Sequence, residues 1–122
     1  MHYKRGDVVL VNFGFNIRDE FNGHHYAIIV ENNNNIGNGV VAVVPLTSVS
    51  PKKRRKFLDK SDVFMGKLFN GIDCYAIPQQ IRSISKMRII KPKYKKHRFA
   101  TVPDNLLDLL DVQIGNLYLS KK

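Results

Sequence analysis

Side chains that could transfer a proton or bind phosphate recur in the first half of the chain. Glu20 lies in a polar loop, the pair His24 and His25 follows it, and Thr47 comes later with Ser48 beside it. Imidazole changes charge near neutral pH, so a histidine can give or take a proton there. A carboxylate can do the same work, and a hydroxyl can donate a hydrogen bond to a developing negative charge. This set of groups suits general acid–base chemistry on a charged substrate.

Short apolar strands must position these groups. Runs rich in β-branched residues span 7–13, 26–31 and 39–46, and they are set off by Gly and Asn. Runs of this length and composition predict β-strands, and their weak alternation suits a barrel or a sheet covered on both faces. The loop that carries Glu20 joins the first two runs, and Thr47 follows the third. The predicted strands therefore bring an acid, an imidazole and a hydroxyl to the rims of one small barrel.

The second half of the chain predicts shorter strands and one helix. Strand candidates lie at 57–58, 63–65, 71–77 and 79–84, the last after a short turn at Pro78. No internal repeat or linker interrupts the pattern, and 122 residues is an ordinary size for one domain. We therefore expect a single domain over residues 1–122.

The helix pattern closes the chain. Thr101 is the predicted N-cap, with Pro103 in the first turn and Asp104 at the third helical position. Apolar residues then recur at helical spacing, at Leu106, Leu107, Leu110, Ile114 and Leu117. The sequence thus predicts a mainly β protein with a C-terminal helix that packs on the strands or on a second subunit.

The charge of the chain is strongly unbalanced. Lys and Arg number 20 against 10 Asp and Glu, which gives a formal net charge of +10 and a pI near 9.9. Such an excess indicates a polyanionic partner, with nucleic acid as the first candidate and an acidic protein as the second. A basic surface that only keeps the protein soluble is the remaining interpretation. The densest basic run, 51–56, resembles a nuclear localisation signal, but we interpret it as a solvated loop that attracts phosphates.

Cysteine content and hydropathy set further bounds. Cys74 is the single cysteine, so it forms no intrachain disulfide, and we expect it to be a buried thiol in a reducing compartment. No apolar signal region precedes Asp7, and no run approaches the ~20 apolar residues of a membrane helix. No cluster of residues has the spacing of a metal site. We expect a cytoplasmic protein with no membrane segment, no metal and no cofactor.

Metal-free RNA cleavage needs only the kinds of group named above. A base removes the proton of a 2′-hydroxyl, and that oxygen attacks the adjacent phosphorus in line. An acid protonates the leaving 5′-oxygen, and a donor stabilises the charged phosphorane. A basic chain with a carboxylate, an imidazole and a hydroxyl at the rims of one barrel has the parts for this reaction.

The order of these motifs resembles the MazF/PemK family of toxin endoribonucleases. In that family a Glu in the loop after the first strand precedes a Gly-x-Arg-Pro run that enters the second strand, and the Arg is regarded as catalytic. Glu20 falls at the Glu position, His25 at the Arg position and Tyr26 at the Pro position. Thr47 falls at the Thr that ends the third strand, and 80–83 matches a Gln-hydrophobic-basic-Ser/Thr run. The resemblance covers nearly the whole chain.

The resemblance implies a fold, an activity and partners. The fold would be a small, twisted β-barrel of the MazF/CcdB type with a C-terminal helix. The protein would be a homodimer with RNA in a groove along the dimer interface. It would cleave single-stranded mRNA sequence-specifically and without a metal, as the toxin of a type II toxin–antitoxin pair. The protein partner would be an antitoxin whose acidic, disordered tail fills the groove.

The resemblance also assigns the site. Catalysis is expected from His25, Thr47 and Glu20. Contacts to RNA are expected from neighbouring side chains and from the basic loop, namely Arg18, His24, Ser48, Lys52, Lys53, Arg54, Arg55, Arg82 and Phe15. Phe15 could stack on a base. The substitution of His for Arg at position 25 removes a permanent cation but leaves a group that can transfer a proton.

Other interpretations of these residues remain open at the level of sequence. His25 could be a structural histidine, Thr47 could cap a turn and Glu20 could be merely solvated, which would make the chain a nuclease-dead member. It would then act as a CcdB-like toxin that binds a protein, or as a plain RNA-binding barrel. Incubation with a long RNA in EDTA separates the three hypotheses, namely an endoribonuclease, a protein-binding toxin and an RNA-binding barrel.

Overall fold

The structure is a computed structural model that describes residues 3–14, 23–33, 36, 39–49, 60–69, 71–91 and 100–119. These residues form eight β-strands, two short 3₁₀ turns and one α-helix. The strands are β1 (Asp7–Asn12), β2 (His24–Ile29), β3 (Val40–Val49), β4 (Val63–Phe69), β5 (Ile72–Ala76), β6 (Arg82–Ser85), β7 (Ile89–Ile90) and β8 (Ala100–Thr101). The 3₁₀ turns are Pro78–Gln80 and Lys86–Arg88, and the helix α1 is Asp104–Tyr118.

The strands form one antiparallel sheet in the order β4-β5-β3-β2-β1-β7, with β6 also paired to β3 and β8 also paired to β1. β3 is shared between two parts of the sheet. Its first half pairs with β2 and β6, and from Leu46 onward it pairs with β5. The predicted mainly β fold with a C-terminal helix is confirmed, although the sheet is not closed, because the described terminal strands β4 and β7 do not pair with each other.

Two apolar cores lie on the two faces of the sheet. Successive residues of a strand point to opposite faces, so the continuous apolar runs of β1 to β3 supply both cores at once. The helix-side core comprises Val8, Ile28, Val44, Leu46, Met65, Ala76, Val102, Leu107 and Leu110. The opposite core comprises Val9, Val11, Phe13, Ala27, Ile29, Val41, Val43, Ile84 and Ile89. Cys74 is buried, as predicted.

Helix α1 covers one face of the sheet with the predicted apolar stripe. Leu107 and Leu110 are fully buried in the helix-side core, and a hydrogen bond from the Tyr118 hydroxyl to the Pro78 carbonyl (3.0 Å) fastens the end of the helix. The predicted start of the helix is wrong. Pro103 is the N-cap and Asp104 is the first helical residue, whereas Thr101 belongs to β8. Thr101 pairs with Asp7 of β1, so the sheet holds it in extended conformation.

The remaining strands differ in length from their predictions. The candidates at 63–65, 71–77 and 79–84 correspond to β4, β5 and β6, the last preceded by the 3₁₀ turn at Pro78. The candidate at 57–58 and the basic run 51–56 lie outside the described residues. In the part of the chain that the structure describes, α1 does not have the length and hydrophobicity that a bilayer crossing requires.

Candidate functional site

The β1–β2 hairpin carries both predicted histidines at the end where its connecting loop begins. His25 pairs with Val11 and His24 with Asn12, so these residues lie in the last regular rungs before the connecting loop. Beyond them the amide of Phe13 donates to the Gly23 carbonyl at 2.8 Å. The hairpin therefore holds its backbone together up to the ends of the loop that contains Arg18 and Glu20.

At the base of this loop, the Arg88 guanidinium packs closely against the backbone of Asn12 and Gly14. The Gly23 amide donates to the Gly14 carbonyl at 2.8 Å, and Gly14 has a φ of 76°. The Arg88 Nη1 donates to the Asn12 carbonyl at 3.1 Å and lies 2.9 Å from where a Cβ on Gly14 would be. Only glycine combines that φ with that clearance without strain. Arg88 thus fixes the hairpin end from outside.

His25 belongs to a cluster with Phe13 and Arg82. The half-buried His25 ring is 6.3 Å from the Phe13 ring, centroid to centroid, with 46° between the planes. Arg82 Cζ lies 4.8 Å from the centroid of the same Phe13 ring, a cation–π distance. Phe13 is only 5% exposed and is therefore a fixed support. A guanidinium and an imidazole thus share one aromatic side chain; we call this the His25 cluster.

The strand pairing explains how Arg82 reaches this position. Arg82 pairs with Val43, whose side chain lies in the opposite core, so Arg82 projects from the same face. The segment from β6 through the Lys86–Arg88 turn to β7 pairs with β3 at its start and with β1 at its end. It therefore runs along the rim of the opposite core, and the Arg82 side chain extends over Phe13 at that rim.

Thr47 lies at the same end of the sheet as His25. The last pair between β2 and β3 is Ala27 with Pro45. His25 is two residues beyond Ala27, and Thr47 is two residues beyond Pro45. Because alternate residues of a strand share a face, both side chains point to the face of the sheet that carries the opposite core. Both strands continue beyond that pair without pairing to each other, and on its other edge β3 pairs with β5, Thr47 opposite Tyr75. An imidazole, a guanidinium and a hydroxyl thus flank one opening in the sheet.

The other predicted residues fall into three groups. His24 is exposed next to His25, and it projects to the opposite side of β2 by strand alternation. Ser48 is exposed, pairs with Cys74 and by the same alternation points away from the face of Thr47. The remaining candidates lie outside the described residues, and they are Phe15, Arg18, Glu20, Lys52, Lys53, Arg54 and Arg55.

Metal ligands are not grouped in the described residues. There, no three or more His, Cys, Asp or Glu side chains are placed to hold one ion. Among the described groups at the opening, His25 can transfer a proton, Arg82 supplies positive charge and Thr47 can donate a hydrogen bond.

Comparison with known proteins gives this arrangement a family. The model of the PemK-like, MazF-like toxins of type II toxin–antitoxin systems matches residues 4–117. The chain belongs to this toxin family. No curated protein sequence matches the chain. The family membership agrees with the resemblance that the loop, strand-end and 80–83 motifs indicated.

Solved structures share the fold of the chain at low sequence identity. MazF from Deinococcus radiodurans is 19% identical, with a TM-score of 0.70 over 94% of each chain. An endoribonuclease in complex with its cognate antitoxin, from a mycobacterial species, is 19% identical with a TM-score of 0.68, over 99% of this chain and 100% of that one. A MazE–MazF complex from Deinococcus radiodurans is 18% identical with a TM-score of 0.65 over 94% of each chain.

Sequence reasoning did not find the role of Phe13 in this toxin-family site. Arg82 was singled out by its motif, but its contact with Phe13 joins residues far apart in the chain. A signal existed only for Phe13 itself, which immediately follows β1 and directly precedes the glycine at the loop base.

Proposed function

We propose that this protein is an endoribonuclease toxin that cleaves single-stranded RNA sequence-specifically and without a metal. The observation that carries the proposal is the opening flanked by His25, Arg82 and Thr47 in a chain of the PemK/MazF toxin family. The net charge of +10 supports a polyanionic substrate. The fold neighbour described as an endoribonuclease with its cognate antitoxin supports the same reaction class.

The reaction begins at a ribose hydroxyl. A base removes the 2′-hydroxyl proton, the 2′-oxygen forms a bond to phosphorus, and the bond from phosphorus to the 5′-oxygen breaks. An acid returns a proton to that leaving oxygen, so the products carry a 2′,3′-cyclic phosphate and a 5′-hydroxyl. We assign one proton transfer to His25 and propose Glu20 as the second proton-transfer group.

Positive charge and hydrogen bonds stabilise the phosphorane. Arg82 supplies the positive charge through its guanidinium. Phe13 positions that guanidinium, since the ring is buried and 4.8 Å from Arg82 Cζ. The Thr47 hydroxyl donates to a phosphoryl oxygen. Proton transfer and fixed charge are thus divided between β2 and β6, where the family motif places a single arginine on β2.

Incubation of the purified protein with a long RNA in EDTA tests this function. We expect fragments that end in a 2′,3′-cyclic phosphate and a 5′-hydroxyl, identified by mass spectrometry. An RNA with deoxyribose at the cleaved nucleotide should resist cutting there, because it lacks the attacking oxygen. Cutting of that deoxy substrate, or complete loss of activity in EDTA, is incompatible with the mechanism.

The partners follow from the charge and the exposed apolar surface. We propose a homodimer, supported by Leu109 and Val112 of α1, which are 56% and 63% exposed. We also propose an antitoxin with an acidic segment, supported by the basic charge and by the antitoxin complexes among the fold neighbours. Sedimentation equilibrium that shows only monomer at micromolar concentration would contradict the dimer.

A second candidate function is RNA binding without cleavage. The observation that favours it is His25 at the position of the family's catalytic arginine. It predicts salt-sensitive RNA binding and intact RNA after prolonged incubation.

A further inference from the structure

An aromatic pair, the exposed Phe64 and the half-buried Tyr75, adjoins Thr47 on the far side from His25. Thr47 of β3 pairs with Tyr75 of β5, and Tyr75 pairs with Phe64 of β4. The Phe64 and Tyr75 rings are 5.3 Å apart, centroid to centroid, with 55° between their planes. Residues directly opposite in paired strands project from the same face. The hydroxyl and both rings therefore form one row across the sheet.

This row lies on the face away from α1. The neighbours of the two aromatic residues, Met65 on β4 and Cys74 on β5, are buried, and Met65 belongs to the helix-side core. Alternation along the strands turns Phe64 and Tyr75 to the other face. There Phe64 is 45% exposed, although it is among the largest apolar side chains of the protein. A role in the hydrophobic core of this chain therefore does not explain why a large apolar side chain occupies position 64.

We infer that Phe64 and Tyr75 form a stacking subsite for a base of the RNA strand. Every nucleobase has an apolar face, and exposed aromatic rings bind such faces with little dependence on sequence. Tyr75 is one strand and Phe64 two strands away from Thr47, so a base stacked here belongs to a nucleotide close to the phosphate at the opening. This inference rests on the proposed function in that RNA is the ligand, but it does not need cleavage to occur.

The subsite would hold the strand on the side of Thr47, opposite to the His25 cluster. Lys67, three residues beyond Phe64 along β4, forms a salt bridge with Asp73 at 2.6 Å and so adds no uncompensated charge at the edge. We therefore expect stacking on the two rings to be the main contribution of β4 and β5 to binding. A subsite of this kind fixes where the chain of nucleotides lies relative to the proton-transfer group.

Fluorescence of 2-aminopurine in a short 2′-O-methyl RNA tests the subsite directly. This RNA lacks the attacking hydroxyl, so binding is measured without cleavage. We expect wild-type protein to quench the fluorophore at one position of a scanned series, because stacking on a ring quenches it. Phe64→Leu should abolish that quenching and weaken binding about fivefold to hundredfold, the range for one aromatic–base stack. Phe64→Tyr, which keeps the ring, should retain both.

The matched control is Val40→Ala. Val40 is 51% exposed at the other end of β3 from Thr47, so its truncation removes exposed apolar surface without touching the row. It should bind and quench as wild type does. Thermal unfolding of each variant shows whether it is folded. If Phe64→Leu does not fold, the quenching series with the wild-type protein still tests the subsite.

The outcomes separate this inference from the proposed function. If wild type neither binds nor cleaves RNA, both are overturned. If wild type binds RNA but no position is quenched, or Phe64→Leu binds as tightly as wild type, only the subsite is overturned. If Phe64→Leu alters sedimentation and leaves RNA affinity unchanged, the ring contacts a protein partner and the subsite is likewise overturned.

Discussion

The side chain at position 25 decides which group in the site moves protons. If the imidazole transfers a proton in the cleavage step, His25→Ala should lower the single-turnover rate by about a hundredfold or more. Cleavage of an end-labelled RNA at saturating protein measures this rate. His25 is half-buried at a strand end, so a denaturant titration should show the variant still folded. Wild-type cleavage by His25→Ala would place the site elsewhere and refute the assignment made from the family motif.

His25→Arg restores the residue of the family motif and separates charge from proton transfer. Imidazole is the side chain that titrates near neutral pH, whereas guanidinium stays charged throughout. The variant should retain partial activity and show a flatter pH–rate profile near neutrality than the wild type. Identical profiles for the two proteins would mean that another group sets the pH dependence.

Arg82 should matter through its charge. Arg82→Gln removes the charge and keeps a polar chain over Phe13, and we expect the cleavage rate to fall by about a hundredfold at saturating RNA, comparable to the loss of one preorganised donor. Arg82→Lys should lose less, since it keeps the charge without the planar fork. Lys4→Gln removes the same charge from an exposed position at the other end of β1 and serves as the control. A loss confined to RNA affinity would assign Arg82 to binding alone.

At the residue scale, the sequence indicated single groups and missed their contacts. His25 and Thr47 were found because they stand at strand ends in a known motif order. The contact of Phe13 with Arg82 and the pair of Phe64 with Tyr75 join separate strands, and no spacing within one strand encodes which strands become neighbours. Sheet pairing had to be known first.

At the scale of elements, composition predicted the long strands and failed for the short ones. β1 to β3 were identified because dense β-branched runs leave few alternatives. β7 and β8 have two residues each, and their strand conformation comes from pairing with β1. The same pairing moved the start of α1, since Thr101 is held in the sheet and Pro103 begins the helix instead. Local capping preferences were overridden by a tertiary contact.

Gly6 joins β1 to the helix and should not tolerate a side chain. Its φ is 95°, its amide donates to the Ile29 carbonyl at 2.7 Å, and a Cβ there would lie 2.9 Å from Leu107 Cδ1. Gly6→Ala should lower the free energy of unfolding by about 1–2 kcal/mol from the backbone alone. Denaturant titration measures the change. Gly39→Ala is the matched control, because a Cβ at Gly39 has no heavy atom within 4 Å, and it should unfold at nearly the wild-type denaturant concentration. Equal stability of the two variants would contradict this account of Gly6.

At the scale of the whole molecule, the charge of +10 should govern RNA affinity. Each phosphate neutralised in a single strand contributes a slope of about −0.7 to the dependence of log affinity on log salt concentration. Three such contacts would reduce affinity about twentyfold between about 50 and 200 mM salt. Fluorescence anisotropy with an uncleavable RNA measures the slope. An affinity that does not change with salt would exclude phosphate contacts as the main source of binding.

The pairing of β1 with late parts of the chain has a consequence for biosynthesis. β1 pairs with β2 nearby, but its other partners, β7 and β8, follow after most of the chain has been translated, as does α1, which covers the helix-side core. Contacts of such long sequence separation form slowly and only once both partners are available. A nascent chain therefore cannot complete the sheet around β1 while β7 and β8 are still in the ribosome. For the proposed cleavage of RNA, this order of folding would keep a nascent chain from a complete fold until β7 and β8 have been synthesised.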